Sequence, residues 1–383
     1  MRTSVYFDNN GTTALDTRVL EAMLPYLAEQ PGNATSRHIY GRSARTAIDQ
    51  AREQVAMAVG AHPSQIVFTG SGTEADNLAI SGMAATRDDA EQIAYSAIEH
   101  PAVMRPAQAM RWRGKKAAII GVDGNGKLRI THLQELLQTQ TALVSVMLAN
   151  TETGVIQDIA AIADEAKRHG AYVHTDAVQA LGKLPLDFAA LGVHAMSLSS
   201  HKINGPQGAG ALVLDKRVDL QPLIYGGGQE KGLRSGTENV AAIVGFGAAC
   251  ELANRELTQS SQTVRTLRDQ LERGLRKLDA VIFGHGETRL PNTSFFAFAG
   301  VEGETLVMAL DRKGFAVASG SACSSDSTEP SHVLLAMGVA PDLARGAVRV
   351  SLADSNTAMQ VEAFLLSLQD ELARLRQMAA IAV

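Results

Sequence analysis

Cysteine is nearly absent: Cys250 and Cys323 are the only two in a chain of 383 residues. Two thiols cannot build a disulfide framework, which excludes the small cross-linked secreted folds and fits a reducing compartment. Long apolar runs are missing as well. No stretch approaches the ~18 uninterrupted apolar residues that a membrane span needs, and the opening MRTSVYFDNNG has no apolar core of the kind a signal peptide carries. The expectation is a cytoplasmic protein without a membrane partner. Positive charge is not in excess either. With a formal net charge of -5, the chain lacks the basic face that a nucleic-acid partner requires. No internal repeat or low-complexity tract occurs.

What is present is an ordinary globular composition, 45% hydrophobic and 20% charged. A chain of 383 residues exceeds one ordinary core, so a large domain of roughly 250 residues and a smaller one are expected. Between about residues 65 and 215, short β-branched runs alternate with helical patterns. QIVFT (65–69), QIAYS (92–96), KAAII (116–120), ALVSVML (142–148), AYVHTD (171–176), AMSLS (195–199) and GALVL (210–214) read as strands. DIAAIADEAKRHG (158–170) reads as a helix capped by Asp158 and stopped at Gly170. Such alternation predicts a parallel sheet with helices on both faces and ligands at the carboxyl ends of its strands. After the glycine-rich YGGGQEKGLRSGTEN (225–239) the pattern mixes long helices with isolated strands, as in a smaller α+β domain.

One of the two cysteines lies in SGSACSSD (319–326). A structural cysteine packs among apolar neighbours, as Cys250 is expected to do within VGFGAACELA. Cys323 is flanked by glycine and serine, residues of turns and exposed loops. A thiol there is either incidental or a working group.

HTDAVQ (174–179) and SLSSHKINGPQGAGAL (197–212) each fall at the carboxyl end of a predicted strand, which places Asp176 and Lys202 in one crevice. Pyridoxal phosphate requires a lysine that holds its aldehyde as a Schiff base and a carboxylate that keeps its pyridine nitrogen protonated. Taken singly, a lysine is mostly a solvated charge, and an aspartate after a strand is commonly a helix cap. FTGSGTEADNLAI (68–80) joins a strand to a helix whose first amides and positive dipole end suit a phosphate, with Gly72 and Thr73 nearest. Any strand-to-helix connection can look like this. Ser199 and His201, beside Lys202, add donors. His100 in IEHPAV (98–103) follows another predicted strand, where an imidazole can stack on a pyridine ring and move protons. A lone histidine is more often a surface or core residue.

Together the segments are more specific. YFDNNGTT, GNATSRH, GSGTEADNLAI, EHPAV, NTETGVIQDI, HTDAVQ, SSHKINGPQGAGAL, GGGQEKGLRSGTEN, SGSACSSD and VRVSLA stand in the order and spacing of a known set. The chain thereby resembles, from about residue 5 to 375, the cysteine desulfurases of the NifS/IscS type, in the pyridoxal-phosphate class V aminotransferase superfamily. The resemblance implies the type I fold of these enzymes, a mainly parallel seven-stranded sheet with helices on both faces plus a smaller α+β domain. Residues 1–14 and 251–383 are then expected in the small domain and 15–250 in the large one.

The same resemblance implies roles for single residues. Lys202 is the Schiff-base lysine, Asp176 the partner of the pyridine nitrogen, Gln179 a ligand of the phenolic oxygen and His100 the stacking acid/base. Gly72, Thr73, Ser199 and His201 hold the phosphate, joined by Thr237 from the second subunit of a homodimer. Asn150 and Thr151 face the cofactor. Arg349 and Asn33 bind the substrate carboxylate, for which a planar guanidinium fork is suited. No metal is implied. L-cysteine is the substrate; the Cys323 thiolate attacks its sulfur, keeps it as a persulfide and leaves alanine.

The chain departs from the family pattern at Thr151, where a second asparagine is usual. Either the hydroxyl takes over that contact to the phenolic oxygen or the contact weakens. The long loop SGSACSSDSTEPSHVL (319–334) resembles the group that hands sulfur to iron-sulfur scaffold proteins. Because LARLRQMAAIAV is not followed by the docking tail common in that group, another sulfur-acceptor protein, such as a tRNA-thiolation sulfurtransferase, stands beside a scaffold as the expected acceptor. Selenocysteine lyase, cysteine sulfinate desulfinase, a transaminase and a non-catalytic sulfur-network platform are the rival readings; the joint presence of Cys323, Lys202, Asp176 and His100 sets them apart.

Overall fold

A computed structural model describes residues 4–320 and 329–381. β1 (Val5–Tyr6) is followed by β2 (Ile66–Thr69), β3 (Gln92–Ser96), β4 (Lys116–Ile120), β5 (Thr141–Ser145), β6 (Tyr172–Asp176), β7 (Ala195–Ser199) and β8 (Gly210–Leu214). β2 to β8 form a seven-stranded sheet in the order β2-β8-β7-β6-β5-β3-β4. Strands β3 to β7 pair in parallel, whereas β8 runs antiparallel to both β2 and β7. The simple alternation predicted parallel pairing throughout. Its exception has a physical cause: a parallel crossover needs a dozen or more residues, and the short link from Ser199 to Gly210 is taken up by the tight turn Ser200–Lys202. That hairpin-like return carries Lys202.

Side chains alternate across the pleat, and the two faces fill differently. Val144, Val173, Met196 and Leu198 point to a core closed by the helices Ile39–Ala58 and Ile159–Arg168 and by the start of the helix Val240–Lys277. Ile93, Tyr95, Leu143 and Leu212 point the other way, under the helices Gly72–Ala84 and Pro101–Ala109. Each large side chain so buried contributes about 1.5–3 kcal/mol against exposure. Among the described residues, no helix is long and apolar enough to cross a membrane.

A second core gathers Phe7, Leu271, Phe296, Phe298, Val350 and Phe364. Its strands β9 (Val281–Ile282), β10 (Thr293–Ala297), β12 (Ala318–Ser319) and β13 (Val348–Ser351) form an antiparallel sheet in the order β12-β13-β10-β9. Between them in sequence, β11 (Phe315–Ala316) pairs in parallel with β1. The division expected between residues 250 and 251 falls inside the helix Val240–Lys277. Phe246, Ala249 and Cys250 on its first half belong to the large core; Leu267, Leu271 and Leu275 on its second half belong to the small one. The two cores therefore share a helix, and no linker separates them there. Cys250 is fully buried, and burial pushes its thiol up, which fits packing and not chemistry.

Candidate active site

Strands β2, β3, β5, β6 and β7 deliver their following residues to one cavity of about 390 Å³. Gly72, Thr73, His100, Thr151, Asp176 and Gln179 line it, and so do Ser199, His201, Lys202 and Arg349. Lys202 projects its amine toward the N-terminal segment, where Nζ donates to the carbonyls of Asn10 at 2.5 Å and Gly11 at 2.6 Å. Asp176 ends β6 and accepts from the Val178 amide at 2.9 Å. Burial lifts its carboxyl to about 6, with the Val178 hydrogen bond and Lys202 acting in the opposite direction.

His100 caps the helix Pro101–Ala109, its Nδ1 accepting from the Ala102 amide at 3.1 Å. Burial, with Lys202 and His332 nearby, pushes the imidazole down to about 4. It is therefore neutral at physiological pH, and because Nδ1 is an acceptor the proton sits on Nε2. The ring is thus set to donate a proton before it can accept one.

At the opposite end, Ser71 caps the helix Gly72–Ala84 by accepting from the Glu74 amide at 3.1 Å. A Cβ at position 72 would approach Val178 Cγ2 to 2.8 Å and Ser199 Cβ to 3.1 Å, so only glycine leaves this corner open. Ser199 Oγ is buried there without a hydrogen-bond partner. An orphaned hydroxyl, the first amides of a helix and an uncrowded glycine make a cradle for a phosphate. With a carboxylate and a lysine amine in the same cavity, the donor set fits pyridoxal 5'-phosphate.

Gln179 is held from both sides. Its Nε2 donates to Thr151 Oγ1 and to the Asn10 carbonyl, each at 3.0 Å. The Thr151 hydroxyl thus accepts from the Gln179 amide. Asn150, expected to face the cofactor, has another task. Its Oδ1 accepts from the Glu152 and Thr153 amides and from Thr153 Oγ1, and its Nδ2 donates to the Ile98 carbonyl, so the side chain is consumed in a fully buried turn.

Arg349 on β13 is 6% exposed, and its Nη2 meets Asp8 Oδ1 at 2.6 Å while Nη1 reaches the Thr151 carbonyl at 3.3 Å. Its Nε has no partner. Asn33, expected beside it, does not line the cavity; its Oδ1 is occupied by the amide and hydroxyl of Thr35. Thr237 is exposed and also stands outside the cavity of its own chain. Its loop is anchored by Glu230, whose carboxylate takes both terminal nitrogens of buried Arg52, at 2.6 and 2.9 Å, and the Phe68 amide at 2.8 Å. Cys323 lies outside the described residues.

Sequence reasoning passed over Asp8, Asn10 and Gly11, although YFDNNGTT crowds polar residues directly behind the first strand. It also passed over Lys183, whose amine reaches the Gln179 carbonyl at 3.2 Å and Oε1 at 3.4 Å. Lys183 lines a separate cavity behind Lys202.

The family model for class-V aminotransferases matches residues 5–364. A cysteine desulfurase of Gluconacetobacter diazotrophicus is 44% identical over 380 residues, covering 98% of this chain and 95% of that protein. The chain belongs to the class-V aminotransferase family. Within it the chain groups with the cysteine desulfurases, pyridoxal-phosphate enzymes. The desulfurase IscS of Methanosarcina thermophila is 42% identical, over 98% of this chain and 94% of its own length. A solved NifS-like protein superposes with a TM-score of 0.91 at 39% identity, covering 97% of this chain and all (100%) of that one. A structure of SspA in complex with cysteine superposes with a TM-score of 0.80 at 32% identity, covering 93% of this chain and 100% of that one.

Proposed function

We propose that the cavity converts L-cysteine to L-alanine and that the sulfur leaves as a persulfide on Cys323. The observation that carries this reading is the convergence of Lys202, Asp176, His100 and Arg349 on one cavity. Bound pyridoxal phosphate supplies an aldehyde carbon for the substrate amine and a ring that takes up electrons when Cα loses its proton. Lys202 carries the cofactor and takes that proton on Nζ. With the cofactor bound, Asp176 would face the pyridine nitrogen, Gln179 would turn its Nε2 from Thr151 and Asn10 toward the phenolic oxygen, and Thr73, Ser199, His201 and the amides at Gly72 would hold the phosphate. His100 gives its Nε2 proton to the developing product. Arg349 holds the substrate carboxylate through nitrogens that Asp8 and Thr151 leave available.

In the net reaction the substrate C–S bond and the Cys323 S–H bond break, an S–S bond to Cys323 and a new C–H bond on the alanine methyl form, and one thiol hydrogen stays on the outer sulfur of the persulfide. Atoms and electrons balance without an outside oxidant. Thr237 completes the phosphate site of a second subunit in a homodimer, and the persulfide passes to an iron-sulfur scaffold or another sulfur-acceptor protein. The exposed Ile39, Tyr40 and Tyr225 support a partner surface on the large domain.

The deciding assay measures alanine and reductant-released sulfide from L-cysteine on protein whose mass is followed by sedimentation. Equal yields of the two from a dimer are expected. Alanine without sulfide points to a different reaction on the same cofactor, and full activity as a monomer removes the shared site. In the same assay Arg349→Lys keeps the charge and the Asp8 pairing but loses the fork. It should raise KM for L-cysteine about tenfold or more, as expected for one lost charge-assisted hydrogen bond; an unchanged KM assigns the carboxylate elsewhere.

A further inference from the structure

A polar seam runs through the face of the sheet that otherwise packs on the helix Gly72–Ala84. His174 and Asp176 lie two apart on β6 and so point to that face. Ser145 on β5 is in register with His174, and Ser197 on β7 with Asp176. From the helix, Asp76 comes down among them, 2% exposed and lining the same cavity as Asp176. His174 is completely enclosed. Its Nδ1 meets Ser145 Oγ and its Nε2 meets Ser197 Oγ, both at 2.9 Å. Asp76 Oδ1 stands 3.6 Å from His174 Nε2, too far for a hydrogen bond, and has no partner of its own.

The charges in this seam do not balance if both aspartates ionise. Burial pushes His174 down to about 3, so the imidazole stays neutral and offers no positive charge. Glu99, on the loop after β3, is a third enclosed carboxyl; its Oε1 accepts from Ser96 Oγ at 2.6 Å and from the Met147 amide at 2.7 Å. Burial raises it to about 8. The cation that reaches the seam is Lys202, and it acts on Asp176. Two carboxylates in one buried site with one cation favour a single ionisation. Asp176 accepts from the Val178 amide and lies near Lys202, whereas the buried Asp76 Oδ1 has no donor, and burial with the Asp176 charge holds Asp76 well above the usual carboxylate range; Asp176 is therefore the one that ionises.

We propose that Asp76 is a positioning residue for the cofactor: its carboxyl stays protonated, leaving Asp176 as the one anion presented to the pyridine nitrogen. His174, braced between two serines, is the uncharged spacer that fixes the strand side of the seam. An ionised Asp76 would put two negative charges behind one pyridinium. This inference rests on the reading of Asp176 as the nitrogen's partner.

The test is infrared spectroscopy of the holoenzyme at neutral pH, with aspartate isotope-labelled in its side-chain carboxyl. A protonated-carboxyl stretch that shifts with the label, and is lost in Asp76→Asn, is expected; Glu99 does not respond to this label. No label-sensitive band in the unmodified protein overturns the proposal, and that arm needs no variant to fold. A band that survives in Asp76→Asn overturns it as well. Cofactor affinity supplies the second readout. The amide mimics a protonated acid, so Asp76→Asn should hold the cofactor nearly as tightly as before, while Asp176→Asn should lose about tenfold or more in affinity. An equal loss in both variants means that Asp76 acts as an anion and sinks the inference. Unchanged affinity and absorption in Asp176→Asn would instead remove the reading of Asp176, while the infrared band still reports on Asp76.

Discussion

Replacing Lys202 by alanine should lower turnover of L-cysteine by about 10³-fold or more and abolish the covalent hold on the cofactor. The amine sits on the short return between two antiparallel strands, pinned by the carbonyls of Asn10 and Gly11. Both expected losses trace to one atom, since in the proposed mechanism Nζ carries the cofactor and also removes the Cα proton. Hydride reduction separates them from a general collapse of the site: the unmodified protein becomes permanently labelled on the peptide containing Lys202, and the variant does not. Lys183 is the available substitute, and it is tied to Gln179 in a cavity behind Lys202. A Lys202→Ala protein that keeps its label and its turnover would overturn the assignment.

Cys323→Ala should be nearly as damaging to alanine production, on the order of 10³-fold, as losses of a working nucleophile are. It should leave the cofactor and the binding of L-cysteine intact. The absorption change on adding L-cysteine therefore persists while alanine and sulfide fail to appear. Undiminished alanine from this variant would move the protein toward a lyase or a desulfinase. The two variants divide the chemistry between them: one removes the capture of the amine, the other the acceptance of sulfur.

The strands of the large sheet were legible because β-branched runs bounded by turn signals have few other uses. QIAYS, KAAII, AMSLS and GALVL match the observed boundaries. The direction of β8 was not legible, since composition does not say which way a strand runs; the shortness of the link carrying Lys202 was the available clue. The residues that contact the cofactor cavity through side-chain chemistry, such as Lys202, Asp176 and His100, could be named from motifs. Asn10 and Gly11 escaped because they contribute carbonyl groups, which every residue has. Asn150 was misplaced for the opposite reason. Its amide looks like a ligand but completes a buried turn, and four backbone and side-chain partners inside the protein leave it nothing to offer. The Asp76 and His174 seam was hidden because both residues sit inside motifs whose other members drew the attention, and only strand register brings them together.

β1 pairs with β11 and Phe7 beside it lies in the second core, so the chain starts at that core, passes through the large sheet and returns. Domains generally fold as units while the chain is being synthesised. The sheet from β2 to β8 is complete once Leu214 has emerged, and with it the floor that receives the cofactor. Asp8 and Arg349 stand 341 residues apart in the chain, so the ion pair proposed to frame the substrate carboxylate closes only long after Asp8 has been made. In the order of biosynthesis, the protein gains a place for its cofactor early and the means to recognise its substrate last.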